Sequence, residues 1–129
     1  MLRVNRNDTE GVQRLVNFLQ RGSYIRSHRH PMPECTENVA VLQGTILFLT
    51  FDDAGTILTS HTLTAGDAGA CMIDIEQGVW HTFVALADDT VVLEIKRGPY
   101  DAKTDKQFAS WSPDEGTAEA DEWIRKMIQ

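Results

Sequence analysis

The chain has 129 residues, 42% of them hydrophobic, enough for one domain with its own core. Twelve basic residues stand against nineteen acidic ones, a net charge of −7. That balance argues against a nucleic-acid phosphate partner and an anionic membrane surface. No apolar run approaches the ~20 residues that span a bilayer, and the opening "MLRVNRNDTEG" lacks a signal-peptide core. A cytoplasmic protein is the expectation. In such a compartment Cys35 and Cys71 are free thiols.

Residues 9–20, "TEGVQRLVNFLQ", place Val12, Leu15, Val16 and Leu19 at helical spacing. The spacing predicts a short amphipathic helix, capped by Asp8 or Thr9 and ended by Gly22. From residue 23 the period changes. "SYIRSHRH" and "TENVAVLQG" are short extended runs. "TILFLTFDDAGTILTSHTL" is two strands around a "DDAG" hairpin signal. "GDAGACMIDIEQGVWHTFVAL" adds strands broken at Gly78, and "DDTVVLEIKRG" adds another after an acidic turn. Short strands with frequent turns indicate a β-sandwich or barrel. In the tail, "SPDEGTAEADEWIRKMIQ" predicts a helix capped by Ser112 and opened by Pro113, with Trp123, Met127 and Ile128 on one side. The domain reading is a single unit over 1–129. It has a helical segment at about 9–20, a barrel at about 23–98, and a tail and helix at about 99–129.

The chemistry concentrates in "RSHRHPMPECTE", residues 26–37. Residues i and i+2 of a strand point to one face, so His28 and His30 project together. Imidazoles with a carboxylate suit Fe, Mn, Co, Ni or Zn. A third histidine, His81, follows Gly78, which permits a turn that aims it back at the pair. His61, in "LTSHTL", fits no pattern and reads as a surface residue. Cys35 is a possible soft ligand, but its loop position favours a bystander thiol. Tyr24 and Arg26 share the parity of His28 and His30. They are candidates for substrate contact, Tyr24 in proton transfer and Arg26 as an anion anchor, or else a pair that buttresses the strand. Trp80 is expected to face away from His81. Glu94 and Lys96 share one face of the last strand, and a solvated edge is their ordinary reading.

"GSYIRSHRHPMPECTENVAVLQG" resembles the first cupin motif through Gly22, His28, His30, Glu37 and Gly44. "EQGVWHTFVA" resembles the second through Gly78 and His81. The loop from His30 to Glu37 is longer than is usual in the family, Glu76 replaces a proline and Ala85 replaces an asparagine. None of these departures removes one of the four candidates. The long loop offers two carboxylates. Glu37 starts a strand and should point inward, whereas Glu34 lies in a loop. "QRLVNFLQRGSYIRSHRHP", "LEIKRGPYD" and "DKQFASWSPDEG" further resemble the WbuC-type cupin proteins of bacterial polysaccharide gene clusters, over about residues 3–116. The resemblance implies a jelly-roll (double-stranded β-helix) barrel holding one divalent metal on His28, His30, Glu37 and His81. It implies a sugar or nucleotide-sugar ligand, and leaves an isomerase or epimerase, a dioxygenase, a non-catalytic binding or sensing module and a purely structural metal all open. Strand edges on so small a barrel favour a homodimer.

Overall fold

The computed structural model describes residues 1–68 and 70–128. Ten strands precede one helix: β1 (Leu2–Arg3), β2 (Val12–Leu19), β3 (His28–Arg29), β4 (Glu37–Gln43), β5 (Thr45–Phe51), β6 (Ile57–Thr64), β7 (Met72–Ile75), β8 (Trp80–Ala85), β9 (Thr90–Arg97), β10 (Gln107–Phe108) and α1 (Ala118–Ile128). They form two five-stranded sheets, ordered β1-β2-β9-β4-β7 and β10-β3-β8-β5-β6. Every pairing between neighbouring strands is antiparallel.

Alternation explains how the sheets meet. Val39, Val41 and Val92 of the first sheet pack on Ile46, Phe48, Leu63 and Phe83 of the second, all buried. Strand β8 is buried at every position because its other face is covered too. There Leu47, Leu49, Phe51 and Trp80 meet Trp111, Trp123 and Met127 from the tail and α1. A strand covered on both sides has no solvent-facing positions, and in "WHTFVA" even the polar His81 and Thr82 are buried.

The β5–β6 hairpin forms where "DDAG" places it. Asp52 Oδ1 accepts from the backbone N–H groups of Ala54 and Thr56, each at 2.9 Å. Gly55 has φ +88°, and a Cβ there would lie 2.7 Å from the Trp111 ring. Glycine is needed at that position for its conformation and for the room it leaves.

Two expectations are corrected. Residues 12–19 are a strand, so the barrel begins before residue 23. The segment carries helical spacing, but it also finds β9, with register running from Val12↔Arg97 to Leu19↔Thr90. Tertiary pairing outweighs the preference of a helix too short to be stable alone. The C-terminal helix starts later than expected. Thr117 Oγ1 caps it by accepting from the Ala120 N–H at 3.1 Å. Ser112 is used elsewhere, and the buried helical residues are Ala120 and Ile124, with Ile128 exposed. No helix among the described residues is long and apolar enough to cross a membrane.

Candidate metal centre

His28 and His30 lie at either side of Arg29 in the shortest part of the second sheet. His28 is the direct cross-strand partner of His81. Gly78, at φ +77°, makes the turn before β8, and its N–H donates to the His30 carbonyl at 3.0 Å. That bond ties the two histidine segments together. Glu37 opens β4 and is 3% exposed. The centre therefore draws on both sheets.

One nitrogen from each of His28, His30 and His81 lies within 4.8 Å of the other two. All three rings are fixed in the same way. His28 Nδ1 lies 2.8 Å from the Arg26 carbonyl, His30 Nδ1 2.7 Å from that of Asp105, and His81 Nδ1 2.9 Å from that of Val79. A carbonyl only accepts, so each Nδ1 carries the hydrogen and each Nε2 presents a lone pair. Glu37 Oε2 is 2.9 Å from His30 Nε2, and Oε1 is 3.9 Å from His81 Nε2. These are acceptors facing acceptors, and only a proton or a cation between them removes the repulsion. His30 Nε2, His81 Nε2 and Glu37 Oε1 are buried without a hydrogen-bond partner. Orphaned polar atoms at this density cost about 1–3 kcal/mol each unless something fills the gap.

Burial, then the neighbouring His81 imidazole, pushes His28 well below the ordinary histidine range. Burial also lowers His81, against the opposing pull of Glu37. Both favour the neutral form, which is the ligating one. Burial alone would raise the Glu37 carboxyl. The His30 interaction and the fields of the three imidazoles outweigh it and hold Glu37 at about 2. The donor set of three imidazoles and one carboxylate fits a divalent transition metal.

The other candidates separate cleanly. Glu34 is exposed in its loop, at φ 60°, and pairs with Arg97. His61 is exposed on β6. Burial raises the Cys35 thiol, which disfavours the thiolate a metal would need, and Cys35 lies outside the histidine group. Trp80 faces away from the centre, its Nε1 donating to Asp53 Oδ1 at 2.9 Å.

Tyr24 and Arg26 do not line the cavity, contrary to the strand-parity expectation. Regular pairing in this segment covers only His28 and Arg29, so parity does not carry back to residue 24. The Tyr24 hydroxyl bonds to Ser112 Oγ and the Pro113 carbonyl. Arg26 donates to the Ser112 and Ala109 carbonyls, each at 3.1 Å, and pairs with Asp114 at 2.8 Å. Both hold the tail.

A cavity of about 350 Å³ opens beside the histidines. Its walls include Asn17, Glu94, Lys96 and Asp105, none of which the sequence reading placed there. The solvated-edge reading of Glu94 and Lys96 is corrected. Lys96 pairs with Asp105 in a bridge whose side chains are 12% and 6% exposed. Glu94 accepts from Asn17 Nδ2. The period-two run Thr90, Val92, Glu94, Lys96 was the available signal. Asn17 was hidden by the helical reading of its strand, and Asp105 lies in a tail without periodicity.

A family described as a domain of unknown function, DUF6016, matches residues 2–63. No curated protein matches the sequence. Among solved structures, oxalate oxidase in complex with the substrate analogue glycolate aligns with TM-score 0.60 at 21% identity, covering 76% of this chain and 46% of that one. Oxalate decarboxylase from Bacillus subtilis aligns with TM-score 0.61 at 16% identity, over 78% of this chain and 24% of that one. The chain has the cupin fold. The capsular polysaccharide assembling protein CapF from Staphylococcus aureus is a further cupin-fold match, with TM-score 0.65, 18% identity and coverage of 79% and 29%. The chain spans under half the length of each of these three. In cupin terms, the histidine group sits between the two sheets, at the end where β3 and β4 begin.

Proposed function

We propose that this protein is a metal-binding cupin that binds or transforms a small sugar-like metabolite. The observation that carries the metal reading is the convergence of three Nδ1-anchored imidazoles, with Glu37 beside His30 and His81 and with His30 Nε2, His81 Nε2 and Glu37 Oε1 unpartnered. His28, His30, Glu37 and His81 would hold one divalent ion. Such an ion, when bound, polarises a hydroxyl or carbonyl oxygen. The adjoining cavity supports an open coordination position, the condition for handling a ligand rather than only bracing the fold. Its 350 Å³ suits a monosaccharide-sized ligand or the sugar end of a nucleotide sugar.

Polysaccharide metabolism is favoured by the WbuC-like motifs and by the likeness to CapF. The oxalate enzymes among the structural matches keep a second reading in play, metal-dependent oxidation of a small acid. A homodimer in the cytoplasm completes the proposal. Val12, Phe18, Leu42 and Met72 are exposed on the first sheet, and both cysteines are free.

Elemental analysis of protein purified without chelator tests the metal reading. Close to one equivalent of a transition metal is expected, and a metal-free protein that also refuses zinc, manganese and iron on reconstitution would refute it. Turnover of candidate sugars by the loaded protein separates enzyme from binding module. The solution mass tests the dimer.

A further inference from the structure

The cavity wall opposite the histidines has a chemistry of its own. Glu94 stands between Leu15 and Val39, its direct partners on β2 and β4, and shares the cavity wall with Leu15. Asn17 Nδ2 donates to Glu94 Oε2 and holds the carboxyl, and both residues line the cavity. Among the described residues, the charges of Lys106 and Lys96 pull Glu94 down, but neither lysine forms an ion pair with it. Lys96, two residues along the same face, is taken by Asp105. Arg3 pairs with Asp8, and Arg14 with Glu10. Lys106 is exposed at the rim, over the Phe108 ring. Burial and then the Glu37 charge push Glu94 up to about 7, outweighing the Asn17 hydrogen bond and the Lys106 and Lys96 charges, which lower it.

The remaining hydrogen-bonding capacity is also informative. Asp105 Oδ2 is a buried acceptor without a partner, and Arg14 Nε is a buried donor without one. Gln13, also inward, is used up: its Nε2 serves the carbonyls of Asn7, Asp8 and Glu10, and its Oε1 accepts from Asn5. The wall therefore mixes acceptors, Glu94 and Asp105 among them, with donors on Arg14, Lys96, Tyr100 and Lys106. A hydroxyl both donates and accepts, so it can satisfy either kind of group. A carboxylate only accepts and would meet Glu94 charge to charge.

We propose that Glu94, held by Asn17, selects a ligand that presents hydroxyl groups to this wall and excludes dicarboxylates. This rests on the metal-cavity reading above and names the substrate class within it. It separates this chain from the acid-binding reading that the oxalate enzymes would suggest.

The test measures binding of xylose, xylitol and oxalate to the full chain at pH 8 by calorimetry and ligand-observed NMR. It is run with zinc bound and with metal stripped. Wild-type protein should bind the polyhydroxy probes. Glu94→Gln should weaken them about tenfold or more, through loss of a charged acceptor. It should also strengthen oxalate about tenfold or more, because a like charge has been removed. Asn17→Ala removes a hydrogen bond that lowers the Glu94 pKa but leaves the carboxyl in place; measured at pH 9, to keep the carboxyl ionised, it should weaken the polyhydroxy probes without strengthening oxalate. Absence of polyhydroxy binding, or a Glu94→Gln effect of the same sign on both ligand classes, would overturn the proposal. Failure to bind any metal would sink the metal reading instead, since the ranking and its inversion are also read on the stripped protein.

Discussion

His28 and His81 stand directly opposite each other across β3 and β8, with ring centroids 4.4 Å apart. Each ring is anchored through Nδ1 to the carbonyl two residues before it in sequence. The pair is thus oriented by backbone alone, before any ligand arrives. His30 differs, because its anchor is the Asp105 carbonyl from the tail.

Glu37 and Glu34 give the sharpest substitution test. Glu37→Gln removes the buried carboxylate beside His30 and is expected to lower metal affinity by roughly 100-fold or more, given that even outer-shell partners are worth ~10–100-fold. Glu34→Gln loses only an exposed pair with Arg97 and should leave affinity unchanged. Competition against a chelator reports both, and the opposite ranking would show that the wrong carboxylate has been assigned.

The tail's link to Asp105 makes a separate prediction. Asp105→Asn breaks the bridge to Lys96 and leaves a largely buried ammonium without its partner. A loss of about 3–5 kcal/mol in unfolding free energy is expected. The His30 anchor is the backbone carbonyl of residue 105, which the substitution keeps, so metal affinity should change by less than ~10-fold. Denaturant unfolding of metal-free protein and metal titration read the two effects separately.

Tyr24→Phe should leave metal binding intact. It removes the hydroxyl that holds Ser112 and Pro113 and should cost about 0.5–1.5 kcal/mol. A lower Tm with unchanged metal content is the expected pair of results. Loss of metal would return Tyr24 to the site.

The metal-free protein should lose stability on acidification. His28 and His81 have folded pKa values below the ordinary 6.5. The unfolded chain takes up their protons first, so stability is full above about 6.5 and declines as pH falls below it. Glu37, held at about 2, adds a second loss as pH drops below its ordinary 4.5 toward that value. Glu94 has the opposite sign. Raised to about 7, its contribution is present below 4.5 and is lost as pH rises through 7. Glu94→Gln is therefore expected to be more stable than wild type at pH 8, and thermal melts from pH 5 to 8 would show it.

The strands from Glu37 to Arg97 and their hairpin were legible because alternation and turn residues are local signals. His28, His30, Glu37 and His81 were legible for a related reason. Their spacing records which residues share a strand face and where a glycine turn falls. Residues 12–19 were not legible in the same way. Val12, Leu15, Val16 and Leu19 satisfy a helical period, and only the unpaired edge of β9 makes the segment a strand. That outcome placed Asn17 on the cavity wall. The tail depended on tertiary structure in the same way. Tyr24 and Arg26 turn to Ser112, Pro113 and Asp114, and Asp105 reaches both Lys96 and His30, through contacts far apart in sequence. Local sequence determines which atoms can ligate. The packing of the two sheets and the tail decides which of the cavity carboxylates are paired with a cation, as Asp105 is with Lys96, and which, like Glu94, are held by an amide instead.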